Sequence, residues 1–183
     1  VRLFLGLRPP APVRDALLAA QCGVDGARWQ DEDQLHLTLR FIGEIDHRGA
    51  DDLGAALGSV MGDAFDLAIR GAGHFERKGR PSALWAAIAP SDGLLTLHRR
   101  VASACRAAGV PPDSKSFVPH VTLARLGGHS TGAGEWLARH GALSAPPWPV
   151  TSFRLYESTL APTGSRYTTL AKWPLARRTA DSG

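Results

Sequence analysis

The chain has 183 residues, enough for one sizeable core and too few for two ordinary domains. Hydrophobic residues make up 44% and charged residues 21%, a balance that excludes a disordered chain, and no apolar run approaches the roughly 20 residues of a membrane helix. The net charge of +4 is carried overwhelmingly by arginine, whose planar fork of donors suits phosphate; it permits a nucleic-acid partner without establishing one.

In chain order, residues 2–7 read as a strand that stops at Pro9-Pro10. This opening is too short for a signal-peptide core and lacks a small-residue cleavage site, so a cytoplasmic chain is expected. Pro12 opens a helix through about residue 22, proline being tolerated in a first helical turn. Residues 34–42 alternate as a strand, and 47–61 read as a weak helix interrupted by Gly49, Gly54 and Gly58. Strands near 65–72 and 83–89 flank a glycine- and charge-rich loop from Gly73 to Pro81.

Residues 91–108 give the clearest helix: Leu94, Leu97, Val101, Ala104, Cys105 and Ala108 recur on one face, with Ser91 as N-cap and Gly109 as stop. A strand over 119–125, a short helix over 134–140 and closing strands over 148–157 and 166–173 follow, the last two joined by Pro162-Thr163-Gly164-Ser165. The polar tail from about residue 176 is expected to fray. Cys22 and Cys105 sit in helix-like segments without a CxxC pair and read as buried free thiols. Short turns join too many of the strands for an all-parallel sheet, so the expected class is α+β with mainly antiparallel sheets and outer helices, residues 1–183 forming one domain.

One internal repeat stands out. Leu35-His36-Leu37-Thr38-Leu39-Arg40-Phe41-Ile42-Gly43 is echoed by Pro119-His120-Val121-Thr122-Leu123-Ala124-Arg125-Leu126-Gly127, which suggests two lobes related by an approximate twofold axis. Successive strand side chains point to opposite faces, so His36 and Thr38 share one face while Leu37 and Leu39 enter the core; His120 and Thr122 do the same. Facing lobes would then line a cleft with two imidazoles and two hydroxyls. Such a set suits cyclic phosphodiester cleavage: one neutral imidazole takes a proton from attacking water, and one imidazolium protonates the departing oxygen. The hydroxyls can hold the non-bridging oxygens, and an arginine can stabilise the charge that builds there. Strict alternation points Arg40 into the cleft and Arg125 away from it, unless the second strand bends or ends near Ala124.

The other histidines have plainer readings. His47 stands near a helix start, His98 lies off the apolar face of its helix, and His140 ends another, all three as solvated residues; His74 and His129 read as surface histidines. A metal site is disfavoured, since HExxH, HxH and a carboxylate close to either motif are missing. GxxxxGK[ST] does not occur, and Gly71-x-Gly73 lacks the rest of a dinucleotide fingerprint.

On these two motifs the sequence resembles the 2H phosphoesterases, and within them the RNA 2′,3′-cyclic phosphodiesterases historically called 2′-5′ RNA ligases. The resemblance extends to Arg2-Leu3-Phe4, Trp29, Leu84-Trp85, Phe117, Leu155-Tyr156-Glu157-Ser158 and Trp173-Pro174-Leu175, nearly the whole chain. It implies a two-lobed α+β fold with a central cleft, and hydrolysis of RNA 2′,3′-cyclic phosphate ends to 2′-phosphates with no cofactor and no metal. It further implies His36 as proton donor and His120 as proton acceptor, an order that the near-symmetric motifs do not themselves supply. Joining of RNA ends through a 2′-5′ bond is an implied side activity. Phe41, Phe117 and Tyr167 are candidates for stacking a base, with core packing as the competing explanation for each. A monomer is expected, and two alternatives stay open: an RNA-end binding module, and an enzyme of the same class that acts on a small cyclic nucleotide or a cyclic ADP-ribose phosphate instead of RNA.

Overall fold

The computed structural model describes residues 1–177. Ten strands and four α-helices are present among them: β1 (Arg2–Leu7), α1 (Ala11–Ala19), β2 (Arg28–Trp29), β3 (Leu37–Glu44), α2 (His47–Leu57), β4 (Phe65–Leu67), β5 (Ile69–Arg77), β6 (Arg80–Ile88), α3 (Asp92–Ala107), β7 (His120–Arg125), α4 (Ala133–Arg139), β8 (Trp148–Val150), β9 (Ser152–Ala161) and β10 (Gly164–Pro174). The main sheet runs β10-β9-β1-β3-β7-β6-β5, with β2 added beside β7 and every pairing antiparallel. Short β4 and β8 form a second sheet of their own.

The repeat seen in the sequence is a repeat of structure. The order β1-α1-β3-α2 returns as β6-α3-β7-α4, and the sheet reads the same outward from its middle: β3, β1, β9 on one side and β7, β6, β5 on the other. The halves are joined by a single register pair, Leu37 opposite Val121. Each half sends its first helix behind the other half. The segment after α1 donates from Gln21 to the Leu123 carbonyl, 3.2 Å, and the Ala20 carbonyl accepts from the fully buried Trp136 of α4, 2.9 Å; α3 lies against β3.

Local chemistry explains the helix ends. Ser91 Oγ accepts from the Leu94 amide at 3.1 Å to cap α3, and Asp46 accepts from the Gly49 amide at 2.7 Å to cap α2. Leu94, Leu97, Val101, Ala104 and Cys105 are the buried stripe of α3, as their spacing requires. Leu5, Leu37, Leu39, Val121 and Leu123 supply the strand side of one contiguous core.

Several expectations need correction. The segment from Gly73 to Pro81 is not a loop: β5 and β6 continue through it to a tight turn at Lys78-Gly79, where φ is 54° and 75°. The outer end of this hairpin is exposed on both faces, so its sequence shows no apolar alternation. The first helix ends at Ala19, leaving Cys22 exposed while Cys105 is buried. The strand expected from residue 34 begins at Leu37, because Glu32–Gln34 form a 3-10 turn. The strand expected over 148–157 is split between β8 and β9, which belong to different sheets. Ala176 is held by backbone bonds to Gly62 (2.8 Å) and Ala64 (2.7 Å); the rest of the tail expected to fray, from residue 178, lies outside the described residues.

Candidate active site

Both motif histidines stand beside the Leu37–Val121 pair. Leu37 and Val121 are fully buried behind the sheet, which turns the residues on either side of them, His36 with Thr38 and His120 with Thr122, to the opposite face. Extending that antiparallel register by one residue sets His36 across from Thr122 and Thr38 across from His120. The four side chains therefore gather around one crossing of two strands.

Each imidazole is held in the same way. His36 Nδ1 bonds the Gln34 carbonyl at 2.7 Å, and His120 Nδ1 bonds the Val118 carbonyl at 2.6 Å, in both cases two residues back. A carbonyl only accepts, so the neutral rings carry their proton on Nδ1 and turn the Nε2 lone pair toward the cleft. His36 Nε2 meets Thr38 Oγ1 at 2.9 Å. Among the described residues, His120 Nε2 shows no such bond to Thr122.

The two arginines are exchanged relative to strict alternation. Gly6 pairs with Thr38 but Leu5 pairs with Arg40, so Leu39 is an extra residue in β3. Trp85 pairs with Thr122 but Leu84 pairs with Ala124, so Leu123 is the matching extra residue in β7. After each bulge the faces swap. Arg40, 7% exposed, therefore lies behind the sheet, where it donates to the Pro111 carbonyl and its charge bears on His98 and Cys105 of α3. Arg125 emerges on the cleft face, where its charge bears on His36, His120 and Tyr167.

Aromatic rings wall the two imidazoles. Phe4 lies 4.7 Å from the His36 ring, Tyr167 meets that ring edge-on at 5.1 Å, and Tyr156 lies 6.2 Å away. On the other side Phe75 meets His120 edge-on at 4.9 Å and Trp85 lies 5.5 Å from it. Of the stacking candidates, Tyr167 is thus beside the site. Phe41, 59% exposed, sits near Phe4 at 6.1 Å. Phe117 is elsewhere: its ring stacks on His98 at 3.8 Å, so His98 is a packed residue and not a solvated one. His140 likewise packs on Trp136, 4.7 Å between ring centroids. Phe4, Phe75 and Trp85 carried no signal as site residues, because cross-strand pairing alone brings them to the histidines.

The sequence profile of the 2′-5′ RNA ligase superfamily matches residues 9–160. The chain belongs to the 2′-5′ RNA ligase superfamily. An RNA 2′,3′-cyclic phosphodiesterase of Aeropyrum pernix is 34% identical over 87% of this chain and 91% of its own length. One of Thermus thermophilus is 34% identical over 96% of this chain and 90% of its own. A crystal structure of a Thermus thermophilus protein matches with a TM-score of 0.80 at 30% identity, covering 98% of this chain and 100% of that one. Escherichia coli LigT in its apo form matches with a TM-score of 0.77 at 27% identity, covering 96% and 97%. The α+β fold with antiparallel sheets is the fold of these superfamily structures.

The surroundings in this superfamily member disfavour the charged form of both imidazoles in the free cleft. Burial drives His36 down from 6.5 to about 4, opposed by the Gln34 carbonyl and reinforced by His120, Arg125 and Arg8. Burial also lowers His120, opposed by the Val118 carbonyl and reinforced by Arg125. The cleft is short of negative charge, which a phosphate would bring. Among the described residues, no helix is long and apolar enough to cross a membrane, and no three His, Cys, Asp or Glu side chains gather as a metal ion would need.

Proposed function

We propose that this chain, acting as one two-lobed unit, opens 2′,3′-cyclic phosphates on RNA ends to 2′-phosphates by metal-independent acid–base catalysis between His120 and His36. The chain is a hydrolase of the cyclic phosphodiesterase type, as its relatives are. The observation that carries the mechanism is the pair of imidazoles on one sheet face, each fixed through Nδ1 to a backbone carbonyl and each presenting Nε2 to the cleft.

In this reading His120 Nε2 takes a proton from water as its oxygen bonds to phosphorus. The bond from phosphorus to the ribose 3′ oxygen breaks, and His36 Nε2–H gives that oxygen its proton. The product carries a 2′-phosphate, and exchange with solvent returns one proton to His36 and removes one from His120. The open Nε2 of His120 favours it as the base. The Gln34 carbonyl holds the His36 ring at Nδ1 through the transfer, and the Thr38 hydroxyl, which meets Nε2 in the free cleft, turns to the phosphate when substrate binds. Thr38 and Thr122 hold non-bridging oxygens, and Arg125 stabilises the charge that develops on them. The bound phosphate monoanion raises both imidazoles from their low free values, which gives His36 the proton it has to donate. Phe41 and Tyr167 offer faces or edges to the terminal base. Replacing water by the 5′-hydroxyl of a second RNA end would yield the 2′-5′ bond with the same two histidines.

The test is hydrolysis of an RNA oligonucleotide ending in a 2′,3′-cyclic phosphate, in EDTA, with 2′- and 3′-phosphate products separated. Clean 2′-phosphate formation is expected. Dependence on added divalent metal, or a 3′-phosphate product, would contradict the proposal.

A further inference from the structure

Beside His36 the structure opens into a pocket of about 520 Å³ between the β9–β10 hairpin and the turn at residues 31–34. Its polar lining includes three guanidinium groups, Arg8, Arg154 and Arg166, against two carboxylates, Asp31 and Asp33, both on the turn. Arg8 is spent on the turn: it pairs with Asp33 at 3.7 Å and donates to the Glu32 carbonyl at 3.2 Å. Arg154 and Arg166 have no carboxylate within ion-pair distance among the described residues.

A second observation points the same way. Tyr156, 6% exposed, lines this pocket, and its buried hydroxyl has no partner at full hydrogen-bond geometry. A buried hydroxyl without a partner costs free energy unless a ligand supplies one. Arg154 approaches the hydroxyl oxygen without closing such a bond, and the charges of Arg154 and Arg8 both act on it. An arginine can only donate, so the hydroxyl hydrogen stays free for an acceptor. Two guanidiniums without carboxylates and a donor hydroxyl are together an anion site, and guanidinium selects oxyanions of phosphate geometry.

The pocket is also tied to the catalytic histidine. Gln34 donates from Nε2 to the Ser165 carbonyl at 2.7 Å and accepts at Oε1 from the Asp31 amide at 2.8 Å, which locks the two walls together. The carbonyl of the same residue holds His36 Nδ1. Tyr167 lines the pocket and touches the His36 ring, so the pocket begins where the cleft ends.

We infer that this pocket binds the phosphodiester on the 5′ side of the terminal nucleotide through Arg154, Arg166 and the Tyr156 hydroxyl, so that the enzyme reads an RNA strand and not only its last nucleotide. The inference rests on the cyclic phosphodiesterase reading above and names its substrate class. A pocket of this volume has room for more than one phosphate group, which fits a chain continuing out of it.

The test compares kcat/KM for a nucleoside 2′,3′-cyclic phosphate with a free 5′-hydroxyl and for a dinucleotide ending in the same cyclic phosphate. The expected advantage of the dinucleotide is tenfold or more in the natural protein, falling to threefold or less in the Arg154→Gln/Arg166→Gln variant. The natural protein also provides a reading that needs no variant. Log kcat/KM for the dinucleotide should fall with log salt more steeply than for the mononucleotide, by about 0.7 for the one added phosphate. The single variant Arg166→Gln, at an exposed position, should reduce both readings if the double variant does not fold. Equal kcat/KM for the two substrates in the natural protein would overturn the inference, as would an advantage that survives in the variants. Absence of turnover on both substrates would instead overturn the cyclic phosphodiesterase reading.

Discussion

Arg40 and Arg125 each trail a His-x-Thr pair, at four and five residues from the histidine, and they lie on opposite faces of the same sheet. The cause is a bulge at the same place in both motifs, Leu39 in β3 and Leu123 in β7, which puts two successive residues on the buried side. The next residue to face the cleft is then Phe41 in one half and Arg125 in the other. The two motifs are near-copies, and their difference at this position gives the cleft one arginine and one exposed aromatic ring.

The exchange predicts opposite outcomes for the two arginines. Arg125→Gln should lower kcat/KM on a cyclic phosphate end by a hundredfold or more, the scale of losing one transition-state donor. Arg40→Met should leave kcat/KM within about threefold, since Arg40 bonds the Pro111 carbonyl behind the sheet and its charge bears on α3 there. Steady-state kinetics of both variants measures this, and a larger loss from Arg40 than from Arg125 would reverse the assignment.

Gly73 is predicted to tolerate no side chain. It lies opposite Trp85, and a Cβ there would come within 2.3 Å of the indole ring that flanks His120. Gly73→Ala should cost about 1–3 kcal/mol in urea unfolding, the usual penalty for overpacking, and should lower turnover as Trp85 shifts against the imidazole. Unchanged stability would mean that the ring moves freely out of the way.

The lowered histidines set the pH dependence of rate. kcat/KM reports groups of the free enzyme, and both His36 and His120 lie below 6.5 there. One must be charged while the other is neutral, so kcat/KM should peak below pH 6.5 and fall toward pH 8. The optimum of kcat should lie higher, because the bound phosphate raises both groups. Coincident profiles with an optimum above pH 7.5 would contradict this reading.

Stability should follow the same group. The unfolded chain protonates His36 near 6.5 and the folded chain near 4, so between these values the unfolded state binds more protons. The contribution is full above pH 6.5 and is lost as pH falls to 4, amounting to about 3 kcal/mol at the most. Urea midpoints at pH 7.5 and 4.5 should show a smaller loss in His36→Gln than in the natural protein.

The histidines, the threonines and the strand–helix repeat were legible in the sequence, because period-two and helical spacing around an apolar core are local signals. The side on which each arginine emerges was not. A bulge at Leu39 or Leu123 leaves no mark in composition, since leucine suits both regular and bulged positions. The roles of Phe4, Phe75 and Trp85 were hidden for a different reason: they reach the histidines from neighbouring strands, and pairing between distant segments is not written in either one. Phe117 looked like a cleft residue because it precedes the second motif closely, yet its ring lies on His98 of α3, away from both motif histidines.

Acid and base can be told apart by the leaving group. A cyclic substrate with sulfur in place of the 3′ oxygen needs no proton on departure. His36→Ala should recover most of its lost rate on that substrate, and His120→Ala should not. Recovery by His120→Ala alone would exchange the two roles while keeping the two-histidine mechanism.

The most direct measurement is single-turnover hydrolysis of an RNA oligonucleotide ending in a 2′,3′-cyclic phosphate by His36→Ala and by His120→Ala. Acid–base catalysis by the pair predicts that each variant loses a hundredfold or more relative to the natural protein, the scale of a missing general acid or base. Near-normal hydrolysis by either variant, with the protein folded, would contradict the two-histidine mechanism.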